Sequence, residues 1–139
     1  LVGSEMCIRD RVYAVEYKPE ALDILEQNKT RFQTKNLQII AGRAEEQVQH
    51  LPVPDCVFLG GSSGAAKQLV AGLRQLRQPV RLVASAVTME TQAELFPLLQ
   101  ELPQFEVVQL AVGCGKTVGN YHVLEGNHPV LLFSCMTKE

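Results

Sequence analysis

With 139 residues the chain has the length of one ordinary domain. Its 46% hydrophobic and 20% charged residues exclude a disordered chain, and a net charge of −2 leaves no electrostatic footprint for nucleic acid or a membrane surface. No apolar run reaches the ~18 residues of a spanning helix. Tryptophan is absent and aromatics are only 6%, so aliphatic side chains must build the core. The four cysteines, Cys7, Cys56, Cys114 and Cys135, lack the CxxC spacing of a zinc or redox site. Cys56 and Cys135 lie in apolar runs and read as small buried hydrophobes. A cytoplasmic setting without a metal is the simplest account.

Residues 1–11, LVGSEMCIRDR, share no periodicity with the rest of the chain and lack the apolar stretch of a secretory leader. They resemble a translated sequencing-adapter artefact, so the fold is read over 12–139 as one domain that is incomplete at its N-terminus. Val12 to Glu16 is a short strand. Pro19 opens a helix, where its fixed φ and missing N–H do no harm, and Ala21, Leu22, Leu25 and Phe32 recur at helical spacing. Leu37 to Ala41 is a second strand, ended by Gly42. Ala44 to Leu51 is a short helix closed by Pro52 and Pro54. Cys56 to Leu59 is a continuous apolar run, which predicts a strand buried on both faces.

Gly60 to Gly64 reads as a turn, and the next helix carries Ala66, Leu69, Val70, Leu73 and Leu76 on one face. Val80 to Val87 is a further buried strand, with Thr88 as N-cap of the helix after it. Pro97 lies inside that helix and predicts a kink near Phe96. Phe105 to Val112 and Pro129 to Cys135 are the last strands. Helices between strands make βαβ units and a three-layer, mostly parallel sheet. The last two strands have no helix between them, so they are expected antiparallel at one edge.

In such a sheet, ligands bind beyond the carboxyl ends of the strands. Glu16 ends the first strand, where a carboxylate can accept both hydroxyls of a ribose; taken alone, the plainer reading is a solvated acid at a helix start, favoured by the helix dipole. Gly42 and Ala44 permit close backbone approach, useful for an adenine ring, although a plain turn accounts for them too. Gly60, Gly61 and the serines beside them lack the GxxxxGK[ST] pattern and suit a loop bordering a ligand. Gly113 to Thr117 resembles a phosphate-loop fragment but precedes no helix, so it reads as a flap carrying Lys116. His50, His122 and His128 read as surface or hinge residues. No catalytic base, nucleophile or metal cluster can be assembled.

VYAVEYKPEAL and LQIIAGRAEE resemble motifs of class I S-adenosylmethionine methyltransferases. PDCVFLGGSSG, RLVASAVTMET and GKTVGNYHVLEGNHPVLLF narrow the resemblance to the decarboxylating precorrin C(15)-methyltransferases of cobalamin biosynthesis, over about Val12 to Ser134. The resemblance implies a Rossmann-like α/β fold with an antiparallel C-terminal hairpin. It also implies that the family's first strand and glycine-rich loop are missing here. S-adenosylmethionine is the implied cofactor, with Glu16 on its ribose, Ala44 and Gly42 near adenine, and Gly60 and Gly61 lining the cleft. Ser85, Thr88, Lys116 and Tyr121 are the implied contacts to a precorrin tetrapyrrole, whose carboxylates Lys116 would meet. The family often has aspartate where this chain has Arg43 and asparagine where it has Ser85.

The implied reaction is C-methylation at ring position 15 with decarboxylation of an acetate side chain. The competing readings are a class I methyltransferase acting on RNA or protein, a nicotinamide-dependent oxidoreductase, and an inactive fragment. A basic face would mark an RNA enzyme, and the net charge does not supply one. Nucleic-acid and membrane partners are not expected. Homo-oligomerisation and fusion to a second precorrin methyltransferase domain both stay open.

Overall fold

A computed structural model describes residues 11–60 and 64–139, and the chain divides after Pro52 into two compact units. Apart from Arg11, the segment expected to be foreign lies outside the described residues, as does Gly61.

The first unit alternates strand and helix: β1 (Val12–Glu16), α1 (Pro19–Arg31), β2 (Leu37–Ala41) and α2 (Ala44–Gln47), the last continued by a 3₁₀ turn at Val48–His50. Proline starts α1 as expected, because the first helical N–H has no intrahelical acceptor to lose. α1 ends where Phe32 N–H reaches the Asn28 carbonyl and Gln33 turns to a φ of +53°. β1 and β2 are parallel and in register from Val12↔Leu37 to Glu16↔Ala41. The crossover therefore sets the two carboxyl ends side by side, tied by the Gly42 N–H donating to the Glu16 carbonyl at 2.9 Å. No residue from 11 to 52 is fully buried.

The second unit comprises β3 (Cys56–Gly60), α3 (Ala66–Gln75), β4 (Arg81–Ala86), α4 (Met89–Leu99), β5 (Glu106–Leu110), β6 (Gly113–Val118), β7 (Tyr121–Gly126) and β8 (Val130–Met136). Its main sheet has the order β3-β4-β8-β5, with β3 and β4 parallel and β8 antiparallel to both β4 and β5. The expected antiparallel pair is thus β5 and β8, with β5 at the edge. α3 supplies Ala66, Leu69, Val70 and Leu73 as buried residues, the stripe its periodicity predicts. With Leu95 and Leu99 of α4, Ala66, Val70 and Leu73 form one core cluster with Leu82, Ala84 and Ala86 of β4 and with Phe133 and Cys135 of β8.

Sheet register explains why this core lies on one face. Leu82 pairs with Val57 and Cys135, and Ala84 with Leu59 and Phe133, so all six side chains lie on the sheet face that the helices cover. The opposite face carries Phe58, Val108 and Leu110, which are exposed. Within this unit no described helix covers that face.

That geometry corrects one expectation. Burial of β3 on both faces does not hold: Cys56 and Phe58 are exposed, Phe58 to 66%, because α3 and α4 cover only the Val57 and Leu59 side. The helix around Pro97 continues through Phe96 to Leu99. Proline sits in its last turn, so few intrahelical bonds remain to be lost beyond it. Thr88 caps α4 as expected, its hydroxyl accepting the Thr91 N–H at 3.2 Å.

β6 and β7 form a separate two-stranded antiparallel hairpin from Gly113↔Gly126 to Val118↔Tyr121, and every residue in it is exposed. The expected flap is therefore an ordered ribbon. Gly119 opens its two-residue turn with a φ of +60°, the sign that the first central position of a type II′ turn demands.

Candidate functional site

The strand ends of the first unit carry one group of candidate site residues. Glu16 lies at the end of β1, half-buried, and its Oε1 accepts N–H groups from Tyr17 at 2.8 Å and Lys18 at 2.9 Å. Among the described residues its Oε2 has no partner. The Lys18 N–H, helped by the Tyr17 N–H and the Lys18 charge, holds the carboxyl below its usual pKa despite the opposing effect of burial. The group is thus ionised, oriented by the backbone, and left with one oxygen to accept hydrogen bonds.

Gly42 has a φ of +142°, which disfavours any other residue, and an added Cβ would meet the Gln47 side chain at 2.7 Å. Ala44 is the first residue of α2, where the backbone N–H has no intrahelical acceptor. The fold therefore brings Glu16, Gly42 and Ala44 together at two adjacent strand ends. These features fit an adenosyl group: an ionised acceptor for ribose hydroxyls beside a bend that leaves backbone accessible.

Tyr17 and Arg43, which flank these residues in the sequence, pack against each other. Tyr17 is exposed, and the Arg43 guanidinium lies over its ring, 4.9 Å from the centroid, while pairing with Glu45 at 3.5 Å. The adjacency of Tyr17 to Glu16 was visible in the sequence; its packing against Arg43 required the strand register.

In the second unit, Gly60 and Ser85 are register partners at the carboxyl ends of β3 and β4. Gly60 is exposed and Ser85 half-buried. The Thr88 hydroxyl is engaged in capping α4 and lies 3.0 Å from the Thr91 hydroxyl, so it serves the helix start. Lys116 and Tyr121 lie on the hairpin, on the same face by register. Lys116 is not an isolated cation: its Nζ contacts both Glu125 carboxylate oxygens at 3.0 and 3.1 Å. Both side chains are more than half exposed, which leaves the pair open to exchange with another carboxylate. The segment resembling a phosphate loop is strand β6 and leads to a turn. Among the described residues, no three His, Cys, Asp or Glu side chains gather as a metal site would require, and no helix is long and apolar enough to cross a membrane.

Comparison with known proteins identifies the family of the chain. A family model described as "precorrin methyltransferase domain" matches residues 3–137. A probable cobalt-precorrin-6B C(15)-methyltransferase (decarboxylating) from Pyrobaculum calidifontis is 30% identical over 126 residues, covering 89% of this chain and 65% of that protein. The crystal structure of precorrin-6Y C5,15-methyltransferase from Geobacter metallireducens superposes with a TM-score of 0.80 at 27% identity, covering 90% of this chain and 68% of that one. The precorrin 8W decarboxylase structure from Methanobacterium thermoautotrophicum gives 0.81 at 26% identity, covering 90% and 69%. The chain thus spans just under two thirds of the Pyrobaculum relative's length.

Proposed function

Because this chain belongs to the precorrin methyltransferase domain family, we propose that it works in S-adenosylmethionine-dependent C-methylation of a precorrin at ring position 15, with decarboxylation of a neighbouring acetate. The observation that carries the reading is the Glu16 carboxylate. It is ionised and fixed by two backbone N–H groups at a strand end, in a chain whose relatives carry that activity in their names. Glu16, Gly42 and Ala44 hold the nucleoside portion of the cofactor, and Gly60 offers open backbone at a strand end of the second unit.

S-adenosylmethionine, when bound, supplies an already electrophilic methyl group, so the residues of the chain have chiefly to bind and orient. That division of labour accords with strand ends offering acceptors and open backbone. Ser85 lies at the strand end where the tetrapyrrole would be positioned, and Lys116 and Tyr121 contact it from the hairpin. Lys116 exchanges Glu125 for a substrate carboxylate. Thr88 contributes through the helix it caps.

The test is incubation of the protein with methyl-labelled S-adenosylmethionine and a reduced, carboxylate-bearing precorrin. The expected product has gained one labelled methyl and lost one carbon dioxide. Methyl transfer without decarboxylation, or transfer to RNA but not to the tetrapyrrole, would overturn the assignment.

A further inference from the structure

The segment Glu106-Val107-Val108-Gln109-Leu110 forms β5, the outer strand in the order β3-β4-β8-β5, and among the described residues it is paired on one side only, with β8. All five residues are exposed, Val107 to 39%, Val108 to 43% and Leu110 to 47%. Register puts Val107 on the helix-covered face with Phe133, and Val108 and Leu110 on the opposite face. On the helix side the apolar surface continues to Phe96 of α4, which is exposed and meets Phe105 edge-on at 5.9 Å. Native edge strands are guarded by lysine, proline, a bulge or a covering segment. β5 shows none of these among the described residues. Its pairing with β8 runs residue for residue from Glu106↔Ser134 to Leu110↔Val130, and its one charge is Glu106.

An open backbone edge is completed by an extended strand. Here the occupant must also be apolar on both faces and uncharged at its centre, and β5 of a second copy meets each requirement. We propose that the β5 edge is a homotypic interface, at which two copies pair antiparallel about a two-fold axis through Val108 and continue the sheet from one copy into the next. Val108 then faces the partner's Val108, Val107 the partner's Gln109, and Glu106 the partner's Leu110. The two Glu106 carboxylates stay about 14 Å apart along the strands, beyond the ~8 Å screening length at physiological salt, so like charges do not meet. Five residues a side make a small contact, so the association is reversible, with an expected Kd of about 1–100 µM.

Sedimentation velocity of the full chain across about 1–300 µM reads this association directly. Wild type should pass from monomer to dimer over that range. Val108→Lys sets two ammonium groups opposite each other and should weaken association about tenfold or more, with an unchanged far-ultraviolet circular dichroism spectrum. Leu110 supplies the sharper comparison, because it faces the partner's Glu106. Leu110→Glu puts like charges together and should dissociate the dimer. Leu110→Lys gains two cross-strand ion pairs and should retain it, with association that weakens as salt is raised. A wild-type chain still monomeric at about 300 µM, or an assembly unaffected by Val108→Lys, would overturn the proposal. So would equal loss of association in Leu110→Lys and Leu110→Glu, the result expected of an apolar patch without register.

Discussion

At Glu16 a local hydrogen-bond pattern orients a carboxylate at a strand end. Two backbone N–H groups fix one oxygen and favour the charged form, so folding itself lowers the pKa. That direction sets the sign of the pH effect. Any stability from this group is complete above its unfolded value near 4.5 and is lost as pH falls through the lower folded value. Glu16→Gln should remove that acid-side loss, which urea titrations at pH 7 and pH 4 would read. Glu16→Ala should weaken S-adenosylhomocysteine binding by ~1–3 kcal/mol, the scale of a hydrogen bond to a charged group; unchanged calorimetric affinity would remove Glu16 from the site. Gly42 is constrained differently. Its φ of +142° is a conformation that side-chain-bearing residues rarely adopt. Gly42→Ala should therefore destabilise the chain by ~1–3 kcal/mol. A melting temperature equal to that of wild type would mean that the turn relaxes freely.

At the scale of elements, the sequence was most legible where periodicity and punctuation agreed. Pro19, the α3 stripe and the Thr88 cap each follow from a local rule, and each is found in place. β3 was less legible, because an apolar run does not say whether one or both faces will be covered. The hairpin was hidden for another reason. Its Gly119-Asn120 turn is a recognised hairpin signal, but neighbouring glycines and a lysine drew the reading toward a loop. Thr88→Ala should cost ~0.5–2 kcal/mol by removing the cap, with secondary structure otherwise retained. An unchanged denaturation midpoint would show that water replaces the hydroxyl without loss. Lys116→Ala separates stability from function: an exposed pair such as Lys116–Glu125 contributes ~0–1 kcal/mol. The variant should fold normally, raise KM for the tetrapyrrole and leave cofactor affinity nearly unchanged. Equal loss of both affinities would assign the hairpin to the cofactor or to the fold.

For the whole molecule, the two units differ in what holds them together. The strand-and-helix alternation of the first was legible from the sequence, yet none of its residues from 11 to 52 is fully buried. The second has a continuous core in which Phe133, Leu73, Leu82, Leu95 and Leu99 are buried almost completely. Its end is closed by the buried Thr137 hydroxyl accepting the Val80 N–H at 3.0 Å. Local opening should track this difference, since amides over few buried contacts exchange through small fluctuations while core strands wait for larger ones. Hydrogen exchange should be faster in β1 and β2 than in β4 and β8. The cysteines offer an independent reading on the second unit. Cys56 and Cys114 are exposed, whereas Cys135 is buried between β4 and β5, and desolvation pushes its thiol pKa up. Peptide-resolved alkylation of the native chain should label Cys56 and Cys114 promptly. Cys135 should become reactive only over the denaturant range in which β4 and β8 lose protection. Prompt labelling of Cys135 in the absence of denaturant would show that the packed face of the sheet opens readily, and that its burial does not mark the stable part of the fold.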